Sequence, residues 1–154
     1  MRPPSREALM QLFRIINYIG LAMIGSVFIC AGLVLGINHG YIPIKIPQTI
    51  NLEVSAKIKY FFLFLSLCHY LIIKFFQKIS IRAVYRLPAA SIIIFTLSEI
   101  VSIYGLVLFL LTGNANDFFI FMTFSLFYFY LFYPKYVDWE RLLEQELQAN
   151  PSHG

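Results

Sequence analysis

Charge is what this chain has least of. Of its 154 residues 13% are charged and 59% are hydrophobic, whereas a soluble domain carries about 25% charged residues. Too little polar side chain is present to coat a water-facing domain of ordinary size. The class left is a chain whose outer surface meets lipid, where apolar residues suit the solvent. Cysteine is scarce too. Cys30 and Cys68 both fall inside apolar runs, where a free thiol behaves as a small hydrophobe, so no disulfide is expected. Neither Cys-x-x-Cys nor His-x-x-x-His occurs. Those are spacings at which a turn or a helix presents two ligands to one ion, so neither a metal nor another cofactor is expected. The modest basic excess, +4 overall, is no nucleic-acid footprint, because Lys and Arg cluster at the ends of apolar runs as membrane topology requires.

Those runs predict an all-α membrane protein: a bundle of four transmembrane helices with a C-terminal amphipathic helix. Residues 1–16 begin polar, with Pro3 and Pro4 among three arginines, and read as a cytoplasmic segment. The first span, 17–37, is too long for the apolar core of a signal peptide and is expected to stay uncleaved. Ala22, Gly25, Ser26, Gly32 and Gly36 lie close to one of its faces, and Gly32 to Gly36 is a GxxxG. Small residues let helices approach closely where lipid supplies no drive between them. Packing inside one bundle is the first reading, and an oligomer interface the second.

The connection from Asn38 to Lys57 contains YIPIKIP, whose two prolines forbid a helix. An extended segment over the outer mouth of the bundle is expected. The second span is 58–76 and holds His69. A basic linker follows, and Pro88 suits the first turn of the third span, 89–111, where its missing N–H goes unmissed. Gly113 marks that helix's stop. The fourth span, 117–133, is short and aromatic. In the tail, 135–154, Asp138 is a plausible N-cap. Trp139, Leu142, Leu143 and Leu147 share one face at helical spacing, and the other face is acidic. Lipid-binding helices are normally rich in Lys and Arg, so this one either rests on the membrane through Trp139 or docks on a partner.

Orientation follows from Lys and Arg. Arg2, Arg6, Arg14, Lys74, Lys78, Arg82, Arg86, Lys135 and Arg141 share one side, and only Lys45, Lys57 and Lys59 take the other. The positive-inside rule then puts both termini in the cytoplasm. A bacterial inner membrane is the expected location, with the lipid bilayer as the first partner and a membrane protein or a second copy as the next.

The polar residues inside the spans are the functional candidates. Glu99 sits about ten residues into the third span, roughly 15 Å into a core of about 30 Å. A charged carboxylate at that depth costs about 2.5–3.5 kcal/mol on insertion scales, so Glu99 is expected to face the protein interior or water. Thr96 shares its face, and Ser91, Ser98 and Ser102 form an adjoining stripe. These hydroxyls either feed hydrogen bonds to Glu99 or bond back to their own helix. His69 lies at similar depth on a sequential helix, which makes a His69–Glu99 pair geometrically possible. Such a pair would serve a proton relay or a structural bond between two helices.

Ser98 to Leu111, SEIVSIYGLVLFLL, resembles the carboxyl-terminal helix of the rotary ATPase proteolipid, or c subunit. The resemblance implies that Glu99 corresponds to the ion-carrying carboxylate and that Ile103, Tyr104, Gly105 and Leu106 correspond to the signature after it. It covers Pro88 to Leu111. Outside that stretch the chain departs from the family: the second span has no glycine, the first lacks glycine at every second position, and the fourth is bulky. No nucleophile–base pair or phosphate loop is present, and the polar loop residues Asn38, His39, Asn114, Asn116 and Asp117 offer little for an enzyme acting on lipids. A non-catalytic accessory or scaffold subunit is the leading expectation, and a proton- or ion-translocating component centred on Glu99 is the second.

Overall fold

Ser5 sets where the first helix begins. In a computed structural model, which describes residues 5–44, 46, 51–80 and 84–149, its hydroxyl accepts from the Ala8 N–H. That satisfies one of the donors a helix start leaves without a partner. Helix α1 (Arg6–Asn38) therefore starts well ahead of Asn17 and runs for 33 residues. At about 1.5 Å per residue it is roughly 50 Å long, more than a bilayer core requires. Helix α2 (Leu52–Ser80) also overruns its expected bounds at both ends. Its first turns take up chain expected to be loop, because the prolines that bar a helix lie before it.

The part of that connection containing Lys45 and residues 47–50 lies outside the described residues. What is described folds back over the end of the bundle. Ile42 N–H bonds to the Gly36 carbonyl at 3.0 Å, and Ile42 and Ile46 pack beside Ala31, Val34, Ile37, Phe109 and Phe118. Arg82 is likewise outside the described residues. A single 3-10 turn, Val84–Arg86, leads into helix α3 (Leu87–Thr112), with Pro88 in its first turn. Gly113 ends α3 with φ 72°, its N–H bonded to the Phe109 carbonyl at 2.7 Å. Glycine takes that left-handed conformation without the steric cost a Cβ imposes.

Helix α4 (Ala115–Phe132) follows after a cap in which the Asn114 side chain accepts from the Asn116 N–H. Helix α5 (Tyr136–Ala149) closes the chain. It begins ahead of Asp138, which therefore lies in the first turn rather than at the cap, still well placed for the positive end of the helix dipole. Among the described residues all regular structure is helical, and four helical stretches are long and apolar enough to cross a membrane.

Helix α3 is the axis of the bundle and packs on α1, α2 and α4. Of its most apolar stretch 44% is buried, against 11% for α2, which makes α2 the peripheral span. Gly20 of α1 meets the ring of Phe95, and Val34 clusters with Phe109, so α1 and α3 run parallel. Helices α3 and α4 meet backbone to backbone at Gly105. A Cβ added at Gly105 would lie 2.7 Å from the Phe121 Cβ and 3.0 Å from the Phe118 carbonyl oxygen.

The small residues expected to pack helices are placed otherwise. Nothing lies within 4 Å of a Cβ built on Gly25 or on Gly32, and Gly36 meets only its own loop's Ile42. The close contacts between helices belong to Gly20, against the ring of Phe95, and to Gly105, against the backbone of α4 at Phe118 and the Cβ of Phe121.

The tail docks on its own bundle. Trp139 and Leu143 are buried in a cluster with Leu9, Ile16, Val84 and Leu87. Phe13 meets the rings of Tyr136 and Trp139 edge-on at 5.3 and 5.2 Å. Leu142 is half-buried, and Leu147 stays 48% exposed, one turn beyond the cluster. The acidic face meets the first turn of α1, where Arg6 pairs with Glu144 at 2.6 Å and reaches Glu140 at 3.7 Å.

Gly105→Ala forces α3 from α4 against backbone as well as side chain, an overpacking cost of about 1–3 kcal/mol. Gly25→Ala enters open space and should change stability by about 0.5 kcal/mol or less. Reversible unfolding of the two variants in detergent, followed by circular dichroism, checks the difference.

Candidate functional site

Glu99 lies midway along α3, and its carboxyl turns toward α1. Its partner is Ser26, whose hydroxyl sits in hydrogen-bond contact with Glu99 Oε1 and also 2.7 Å from the Met23 carbonyl oxygen. Glu99 is therefore a junction between α1 and α3. Ser26 was visible in the sequence only as one small residue among several. Parallel packing of α1 on α3 puts it at the level of Glu99, and no local pattern in the first span announces that.

The expected stripe of hydroxyls turns back on its own helix. Ser91 bonds to the Leu87 carbonyl, Thr96 to Ile92 and Ser98 to Ile94, each at 2.9 Å. Ser102 bonds to the Glu99 carbonyl at 2.8 Å. A short hydroxyl in a helix reaches the carbonyl one turn back more readily than a group on its neighbours. None of these four is within hydrogen-bond reach of the Glu99 carboxyl. Ser125 of α4 is fully buried, and its hydroxyl has no partner among the described residues. Gly105 meeting Phe118 and Phe121 sets an antiparallel register that brings Ser125 to the level of Ser98 and Ser102.

His69 is placed away from Glu99. Its ring stacks on Tyr104 at 5.6 Å and 10° between planes, and Tyr104 in turn stacks on Phe62 at 4.9 Å. Its Nδ1 is buried with no hydrogen-bond partner among the described residues. Tyr104 follows Glu99 by five residues, which rotates it about 140° around the helix at 3.6 residues per turn. One residue thus addresses α2 and the other α1, so sequential helices do touch but not through this pair.

A second polar junction lies at the end of the bundle away from α5. Lys59 Nζ of α2 meets Asp117 Oδ1 of α4 at 2.5 Å, and Asn114 Nδ2 lies 3.3 Å from Asp117 Oδ2. Asp117 is buried while Lys59 stays partly open. Asn114 and Asn116 are engaged in the cap of α4, so the polar loop residues there serve helix ends. Topological parity could have predicted the Lys59–Asp117 pair, because both residues lie where a helix enters the bundle from the same side. Among the described residues no group of three or more His, Cys, Asp or Glu could hold a metal ion, and both cysteines are free.

Comparison with protein-family models, with curated proteins and with solved structures finds no match.

Asp117→Ala leaves the Lys59 ammonium beside a buried wall and removes a charge-assisted bond, with an expected loss of about 1.5–3 kcal/mol. A double-mutant cycle with Lys59→Met in detergent unfolding should return a coupling above about 0.5 kcal/mol. Simple additivity would mean the two side chains act independently.

Proposed function

We propose that this chain is a non-catalytic, multi-pass membrane protein, an accessory or scaffold subunit in which Glu99 clamps α1 to α3. The observation that supports this reading is the direction of the carboxyl. It closes on Ser26 of α1, while His69, the nearest candidate for a relay, stacks on Tyr104 and faces another helix. Open space beside Gly25 and Gly32 leaves room on α1 for an approaching helix, the face on which a membrane-protein partner would sit.

The proposed location is a bacterial inner membrane with both termini in the cytoplasm, from the Lys and Arg asymmetry. In a background lacking Cys30 and Cys68, a cysteine at Asn114 should label from outside and one at Gln77 should not. External labelling at Gln77 would reverse the orientation.

A proton- or ion-translocating role centred on Glu99 is the second reading, and one observation favours it. Ser26 carries a single hydroxyl hydrogen yet faces two acceptors, the Met23 carbonyl and Glu99 Oε1. A proton on Glu99 would resolve that count, with the carboxyl donating to Ser26 and Ser26 donating to Met23.

Substitution separates the two readings. Glu99→Gln keeps the shape and both hydrogen-bonding capacities but cannot release a proton. Under the scaffold reading the purified variant retains the same copurifying membrane proteins in mild detergent, and its proteoliposomes match wild type in proton flux. Glu99→Leu then loosens the bundle by about 1 kcal/mol or less, the usual scale of intramembrane hydrogen bonds. Loss of flux in Glu99→Gln with assembly intact would transfer the conclusion to translocation.

A further inference from the structure

Where α4 leaves the bundle and α5 turns back, the chain encloses a cleft of about 290 Å³. Its floor is apolar: Leu87, Ala90 and Ile94 of α3 and Phe132 of α4, all nine-tenths buried. Trp139 and Leu142 of α5 form one wall. The rim is polar and exposed, with Gln77 from α2, Lys135 from the turn, and Asp138, Arg141 and Gln145 from α5. Neither Lys135 nor Arg141 takes part in an ion pair among the described residues, in contrast to Arg6 on the far side of α5. One end of the cleft therefore suits a hydrocarbon, and the other holds two uncommitted cations against a single carboxylate.

We propose that this cleft binds an anionic phospholipid of the surrounding leaflet. Its phosphate lies between Lys135 and Arg141, and its upper acyl segment rests on Ala90, Ile94, Phe132 and Trp139. The cleft supplies both halves of the complementarity, an apolar floor and a cationic rim. The cations lie at the end of the bundle that carries most of the Lys and Arg, the side on which basic groups near a membrane surface attract anionic headgroups. The volume sits at the lower limit of small-molecule sites, which fits one headgroup with the start of one chain better than a whole lipid. Helix α5 supplies the wall and one of the two cations, so its docking builds the site. The inference requires membrane residence but not the scaffold reading, and Glu99 variants leave it untouched.

Native mass spectrometry of the full-length protein in mild detergent tests it, titrating phosphatidylglycerol against phosphatidylcholine. Wild type should retain phosphatidylglycerol about thirtyfold more tightly, the scale expected of two interfacial cations. Lys135→Gln with Arg141→Gln, both at exposed positions, should erase that preference with unchanged helix content by circular dichroism. Ala90→Phe keeps the cations but fills the floor, and should lower retention of both lipids. Equal retention of the two lipids by wild type would overturn the proposal. So would an undiminished preference in the Lys135→Gln, Arg141→Gln variant, undiminished retention of both lipids in Ala90→Phe, or a mass showing a second copy of the chain in place of lipid.

Discussion

Helix α3 can sit against α1, α2 and α4 because all but one of its polar side chains from Ser91 to Ser102 ask nothing of its neighbours. Ser91, Thr96, Ser98 and Ser102 each return a hydrogen bond to their own backbone, so a helix carrying five oxygen-bearing side chains over three turns presents a nearly apolar surface. Only Glu99 is too long to fold back in this way, and it alone reaches across to α1. The close seat of α4 at Gly105 follows from the same economy: with no polar group to accommodate, the backbone of α3 comes into contact with Phe118 and Phe121. Had the serines pointed outward, each would have needed a partner on another helix, and three neighbours would have had to supply them.

The helices themselves were legible in the sequence, for definite reasons. Apolar runs long enough to cross a bilayer leave few alternatives to a helix, because backbone groups in an apolar medium must be satisfied within the segment. Gly113 and Pro88 punctuated α3 correctly because their constraints are local. The starts of α1 and α2 were not legible, since polar helical turns look like loop until Ser5 is known to cap or Leu9 to be buried under α5. The direction of Glu99 was also hidden. It depends on which neighbour α3 presents to each face, a property of the assembled bundle. The same holds for glycine. Spacing marked Gly25, Gly32 and Gly36, but what packs against each position decides which glycine is needed: the Phe95 ring at Gly20 and the backbone of α4 at Gly105.

The tail was expected on the membrane or on a partner, and it lies instead on its own bundle. An acidic amphipathic helix is poorly suited to an anionic membrane surface. Here its acids meet Arg6, and Glu146 accepts from the Val84 N–H at 2.8 Å, capping the 3-10 turn that starts α3. Surface ion pairs of this kind contribute little energy by themselves. The burial of Trp139 and Leu143 holds the helix down, and the acids fix its rotation, turning Arg141 toward the cleft that Lys135 of the preceding turn also lines.

The polar ties of the bundle follow a rule of their own. Glu99–Ser26 joins α3 to α1, Lys59–Asp117 and the Tyr128 hydroxyl on the Ser66 carbonyl join α2 to α4, and the Tyr133 hydroxyl reaches the Asn17 carbonyl of α1 at 3.4 Å. Arg6–Glu144 joins α1 to α5. Among the described residues every one of these bonds links elements that are not consecutive in the chain. Consecutive pairs, α2 with α3 and α3 with α4, instead meet through rings and aliphatic side chains, as Phe62 and His69 do on Tyr104. The division has a physical basis. A short connection already holds consecutive helices side by side, so shape alone can finish their packing. Helices distant in the chain have no such tether, and in lipid no hydrophobic drive selects one neighbour over another. A directional bond at a fixed level of the bundle supplies that selection, and Glu99, alone at the centre of α3, supplies it where, in a bilayer, an unsatisfied carboxyl would cost most.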